Sequence, residues 1–252
     1  PGRILRFEEG LTARVEAIDP AGGERTVVFD RPLDFSLLDR IGRTPLPPYI
    51  RREAGAPDRA ADRAAYQTVF AREPLAVAAP TAGLHFTDEI LDAIRARGVT
   101  IADLTLAVGA GTFKPVTADD TTGHAMSSED VVIPAETVRA LARARREGRR
   151  VVAVGTTVAR SLEAALRLPE AGGLGEGPDN LQDLRFVTDL FITPGFEFRA
   201  VDALLTNFHL PRSTLLMLVS ALAGRERILA AYAEALREGY LFYSFGDAMF
   251  IA

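Results

Sequence analysis

From about residue 75 to its end, the chain repeats one pattern: a short apolar run, then an amphipathic segment with helix signals at both ends. No other feature limits the possible folds as strongly. The segment "TDEILDAIRARG" offers Thr87 as N-cap, acids in its first turn and Gly98 at its close. "PAETVRALARARREG" has Pro134 near its start and Gly148 at its end. "TTVARSLEAALRL" places Val158, Leu162 and Leu166 on one face. Between these lie "LAVAA" (75–79), "VTIADLTLAV" (99–108) and "RRVVAVG" (149–155), which predict strands, as do "RFVTDLFI" and "VDALLTNF". Two more helices, separated by Gly224 and closed by Gly239, precede "YLFYSF" and "AMFIA", both read as strands. Such alternation predicts a layered α/β domain with a mixed or mostly parallel sheet.

The first 40 residues read differently. "LTARVEAI" and "ERTVVF" are short alternating runs on either side of the turn-rich "DPAGG". Three prolines in "TPLPPYIRR" then interrupt any regular element. Two domains are therefore expected, a small β domain over 1–45 and a large α/β domain over 46–252.

Composition narrows the chemistry. The 252 residues include no Cys, which excludes disulfides, thiol catalysis and Cys-ligated zinc. No apolar stretch has the length of a membrane span and no signal peptide opens the chain, so a cytoplasmic protein without membrane contact is expected. A net charge of −5 argues against a general polyanion-binding surface. One stretch, "RALARARREGRR" (139–150), is dense in Arg. It reads either as a solvated helix face or as a local phosphate-binding patch.

Several predicted strands run into polar loops: "PTAGLHF" (80–86), "GAGTF" (109–113), "GTT" (155–157) and "TNFHLPRST" (206–214). In an open parallel sheet such loops share one edge, where ligands bind. The candidate groups are Pro80, Thr81 and Gly83; Gly109, Gly111 and Thr112; Thr156 and Thr157; and Asn207, Ser213 and Thr214. Small residues allow close backbone approach, hydroxyls and amides hydrogen-bond, and the helix starts favour an anion. Of the three histidines, His85 and His209 lie in these loops and His124 lies in "TTGHAMSSED". All three are candidate proton carriers. There is no G-x-x-x-x-G-K-[ST], H-E-x-x-H or G-x-S-x-G. "LTLAVGAGTF" is similar to the glycine loop of S-adenosylmethionine-dependent methyltransferases, a weak signal on a single G-x-G.

A longer set of blocks is more specific. "IGRTPLPPYI", "YQTVFA", "AVAAPTAGLHFT", "VGAGTFKPV", "VAVGTTVARSLE", "TDLFITPGFEFRAVDALLTNFHLPRSTLLMLVSALAG" and "YLFYSFGDAMFI" resemble, in order, those of the S-adenosylmethionine:tRNA ribosyltransferase-isomerase family of queuosine biosynthesis. The resemblance implies a large α/β domain and a small β-barrel. The barrel is expected to be incomplete here, because the family's N-terminal segment is missing before Pro1 and the chain reads as a piece of a longer protein.

The implied reaction moves the ribosyl part of S-adenosylmethionine to 7-aminomethyl-7-deazaguanine at the wobble position of a tRNA. The ribose is isomerised, giving epoxyqueuosine, and adenine and methionine leave. No metal or other cofactor is implied, S-adenosylmethionine being the ribosyl donor, and a monomer is expected. Gly109 and Gly111 would admit the nucleoside, and Arg160 would hold a carboxylate such as the methionine end. Two positions depart from the family pattern: Ala107 and Ser127 stand where its members usually carry histidine. Alternatives are a relative acting on another deazapurine acceptor, a methyltransferase and a non-catalytic RNA binder.

Overall fold

The computed structural model describes residues 1–19, 24–53, 60–74, 76–109, 126–168 and 182–252. The chain divides into two compact units, Pro1–Pro45 with Arg52–Arg63, and Leu46–Arg51 with Ala64–Ala252.

The first unit is built on an antiparallel meander of β1 (Ile4–Arg6), β2 (Thr12–Ile18) and β3 (Arg25–Phe29), with Leu5 opposite Ala13 and Arg14 opposite Val28. Leu11, Ala13 and Val15 alternate onto one face and are buried. Helix α1 (Phe35–Ile41) follows, its first turn capped by Asp34, which accepts from the Leu37 N–H at 2.7 Å. The segment 60–65 is also helical, as α2 (Ala60–Ala65).

In the second unit the caps read from the sequence do their work. Helix α3 (Asp88–Ala96) is capped by Thr87 and ends before Gly98, whose φ of 75° is open to glycine at little cost. After β4 (Thr105–Ala107) and β5 (Glu129–Ile133) come α4 (Ala135–Arg146), β6 (Val152–Val154), α5 (Thr156–Ala165), β7 (Leu184–Thr188) and β8 (Ala203–Asn207). Helices α6 (Thr214–Ala223) and α7 (Arg225–Arg237) precede β9 (Ala248–Ile251). The core is one cluster in which Val131 and Ile133 of β5, Leu162 of α5, Leu204 of β8 and Val219 of α6 are all buried.

The architecture is mixed α/β, but the sheets are not mostly parallel. β4, β5 and β7 form one antiparallel sheet, in that order. β6, β8 and β9 form another, in which β6 and β8 are parallel and β9 is antiparallel to β8. Among the described residues β6–β8 is the only parallel pair. The β6–β8–β9 sheet is thus mixed, one of the two expected alternatives, whereas the connections among β4, β5 and β7 reverse the chain direction at each step. Periodicity reveals that a segment is a strand, and says nothing about which way it runs.

Two predicted strands are absent. Residues 76–79 form no ladder: Val77 donates one backbone hydrogen bond to the Val108 carbonyl (3.0 Å), and its side chain is exposed. Residues 240–245 form a tight loop, in which Gly246 donates to Tyr243 and Asp247 to Leu241. A Cβ on Gly246 would sit 2.4 Å from the Leu241 carbonyl oxygen, so glycine is required there.

Candidate active site at the strand ends

Three of the four polar loops come together. Residues Thr81–His85 form a 3-10 turn opened by Pro80, whose carbonyl accepts from the Gly83 N–H at 2.7 Å. Gly83 is buried, and a Cβ there would meet Thr68 at 3.1 Å and Phe70 at 3.2 Å, so the turn lies flat on the 66–70 segment. Tyr66 of that segment is buried, which pushes its phenol up to about 12 and keeps it protonated.

From this turn Thr81 Oγ1 donates to Asn207 Oδ1 at 3.0 Å. Asn207 Nδ2 in turn donates to His85 Nε2 at 2.9 Å. Asn207 ends β8 and is buried, whereas Thr81 and His85 are half-buried. The third loop closes in at Gly155, which donates its N–H to the Leu205 carbonyl at 2.9 Å. A Cβ on Gly155 would lie 3.7 Å from that of Ala82. Thr156 and Thr157 then open α5, with Thr156 buried and Thr157 half-buried.

The 206–214 loop is pinned on several sides. Phe208 is buried among the rings of Tyr232, Tyr240 and Phe242, and its carbonyl accepts from the Tyr243 N–H. The His209 N–H donates to the Tyr232 hydroxyl at 2.8 Å. The His209 ring is buried and hydrogen-bonds Thr206 Oγ1 through Nε2 at 3.1 Å. Burial alone lowers its pKa to about 4, so the ring is neutral at neutral pH. Ser213 caps α6 by accepting from the Leu216 N–H, which puts Thr214 in the first turn.

Arg160 lies on α5 with its side chain 7% exposed, ion-paired with Glu129 of β5, itself 4% exposed. Arg160 Nε has no acceptor among the described residues. The glycine loop enters the described residues at Gly109, which is exposed, two residues past the end of β4. Gly111, Thr112 and His124 lie outside the described residues. Among the described residues no three His, Asp or Glu side chains converge as metal ligands.

Two buried carboxylates support these elements, and of them only Glu129, which closes the family-like stretch "HAMSSE", is marked in the sequence. The other is Glu163, fully buried on α5, which accepts from the N–H groups of Arg199, Ala200 and Val201 and pairs with Arg167 at 2.9 Å. Only the four-residue spacing of Glu163 and Arg167 was visible beforehand, and that spacing is equally common on solvated helix faces.

Fold and contacts together define an α/β protein that gathers an amide, hydroxyls and an imidazole where a sheet strand ends, a usual place for a small-molecule site. The model of the queuosine biosynthesis protein family matches residues 1–251, and the chain belongs to that family.

A relative from Syntrophotalea carbinolica, named S-adenosylmethionine:tRNA ribosyltransferase-isomerase, is 55% identical over 255 residues, covering 100% of this chain and 69% of its own. A relative of the same name from Azoarcus sp. is 58% identical over 216 residues, covering 85% of this chain and 58% of its own. The crystal structure of S-adenosylmethionine tRNA ribosyltransferase from Thermotoga maritima aligns over 100% of this chain and 65% of that one, with 36% identity and a TM-score of 0.53. The alignments thus cover between 58% and 69% of the length of these proteins.

Proposed function

We propose that the chain carries the ribosyl-transferring and isomerising activity of its relatives. The ribosyl group of S-adenosylmethionine passes to 7-aminomethyl-7-deazaguanine at a tRNA wobble position, and adenine and methionine leave. The observation that carries this reading is the family match over residues 1–251, with the Thr81–Asn207–His85 contacts assembled inside it. The alternatives of another acceptor, of methyl transfer and of simple RNA binding draw no support from these likenesses. The antiparallel sheet of the first unit would be part of the family's small β-barrel.

The chemistry asks for a proton to be removed beside the sulfonium and for adenine to be stabilised as it departs. Imidazoles and hydroxyls in a partly dehydrated pocket suit both tasks. The helix start at Thr156 and Thr157 and the last free edge of Arg160 suit an anionic end of the donor, such as the methionine carboxylate. No further cofactor enters this scheme.

The product settles the reaction class. Incubation with S-adenosylmethionine and tRNA carrying the aminomethyl-deazaguanine is expected to release adenine and methionine, read by chromatography, with epoxyqueuosine found in the digested tRNA by mass spectrometry. S-adenosylhomocysteine as the main product would establish a methyltransferase instead.

The tRNA reading also assigns a role to the Arg-rich helix. Arg139, Arg146 and Arg150 are exposed and form no ion pair among the described residues, whereas Arg143 and Arg149 are held by Glu147. Arg139 and Arg146 stand two turns apart on one side of α4, where they could each meet a backbone phosphate. Changing all three to Ser is expected to weaken tRNA binding and to reduce the salt dependence of log K by about one per arginine. An unchanged slope in a salt series would place the tRNA elsewhere.

A further inference from the structure

We propose that Asn207 is a positioning residue that fixes the tautomer of His85, leaving the histidine as a hydrogen-bond donor through Nδ1. The inference rests on the ribosyl-transfer reading only for what that donor meets.

The argument starts at Thr81. Its hydroxyl donates to Asn207 Oδ1, and Nδ2 of the same amide faces His85 Nε2. An amide nitrogen can only donate, so Nε2 must accept with its lone pair. A neutral imidazole carries one proton, and with Nε2 accepting, that proton is on Nδ1. Asn207 is 3% exposed and anchored at the end of β8, so the constraint comes from the rigid side of the site. His85 sits on the opposite, half-buried side of the contact. A buried group that orients a more accessible imidazole through one ring nitrogen frees the other to meet substrate.

In the proposed reaction the natural partner for Nδ1–H is an acceptor atom of the departing purine, whose electron density rises as its bond to the ribose breaks. His85 then stabilises the leaving group by a hydrogen bond. Removal of the proton beside the sulfonium falls to another group, because the His85 Nε2 lone pair is already engaged.

The test reads the tautomer directly. The chain has three histidines, so ¹⁵N-histidine labelling gives a nitrogen spectrum with three imidazoles to assign. In the unaltered protein His85 is expected to carry its proton on Nδ1. Asn207→Asp replaces the amide by a group that only accepts, so the proton should move to Nε2. Adenine release should then fall about 10²-fold in kcat, within the range for a misplaced proton carrier, with KM changed by no more than a few-fold. Thr81→Val, a milder change, should leave the fold intact and give a mixture of the two tautomers with a smaller kcat loss.

A proton on Nε2 in the unaltered protein overturns the proposal. So does a loss of kcat in either variant without a change of tautomer, which would mark the contact as structural. If the unaltered protein releases no adenine at all while His85 shows the Nδ1 proton, the positioning stands and the ribosyl-transfer reading is what fails.

Discussion

Replacing Glu163 by Ala is expected to lower the stability of the second unit by about 3–5 kcal/mol, the cost of breaking a buried ionic contact by removing one partner. The carboxylate is fully buried and takes four sets of donors: three consecutive backbone N–H groups, from Arg199 to Val201, and the Arg167 guanidinium. Without it those N–H groups keep their desolvation and lose their acceptor, at roughly 1–3 kcal/mol each where they remain buried. Arg167 is better placed to survive the loss. It also donates to the Glu197 carbonyl and lies over the Phe196 ring at 4.3 Å.

The three N–H groups belong to the segment entering β8, and β8 ends at Asn207. The destabilisation should therefore be accompanied by lost activity out of proportion to the fraction unfolded. Thermal unfolding reads the first effect. At about 2–4 °C per kcal/mol for a chain of this size, the midpoint should drop by about 10 °C. Glu163→Gln should recover only part of this, because its amide NH₂ would face donors where the carboxylate faced them with lone pairs. A midpoint within a degree or two of the unaltered protein would mean that water reaches the 199–201 segment and replaces the carboxylate.

How far the sequence could lead is visible in such residues. Local signals were legible. Thr87 and Ser213 are caps because a side-chain oxygen can meet the free N–H groups of a first turn, and both do so here. Gly98, Gly148 and Gly239 end helices in the left-handed region. The loops at 80–86, 155–157 and 206–214 stand out because polar and small residues interrupt apolar runs, and these three do meet, through Thr81, Ala82 and His85, Gly155, and Asn207.

Less was legible where tertiary partners decide. β5 was missed because "EDVVI" opens with two acids, one of which is buried only because Arg160 reaches it from α5. Helix α1 was missed because seven residues give too few turns for a period to show. The antiparallel course of β4, β5 and β7 follows from how the connections pack, which no window of residues contains.

The two positions where the resemblance leads one to expect histidine lie toward the same end of the β4–β5 ladder. Ala107 ends β4 opposite Asp130 of β5, and Ser127 is an exposed residue two positions before β5 begins at Glu129. Both therefore stand at one end of the β4–β5 ladder, next to the buried Glu129–Arg160 pair. Histidines at these places would put two imidazoles, each able to exchange a proton near neutral pH, where this chain has a methyl group and a hydroxyl. A proton carrier in a reacting site typically contributes about 10²–10⁴-fold.

In the protein extended to the length of its relatives, the double change Ala107→His with Ser127→His is therefore expected to raise turnover of the modified tRNA at least about tenfold, the modest end of that scale. Each single change should give less, because two carriers that act on one proton path are not additive. Steady-state release of adenine measures the gain, and binding of S-adenosylmethionine should be nearly unchanged, since neither change removes a donor from the Thr81–Asn207–His85 contact. If the unaltered protein already matches its relatives and the double change adds nothing, these two positions carry no proton and the remaining histidines suffice. If neither protein acts on the tRNA while both bind S-adenosylmethionine, the two substitutions accompany a change of acceptor, and the free deazapurine becomes the substrate to try.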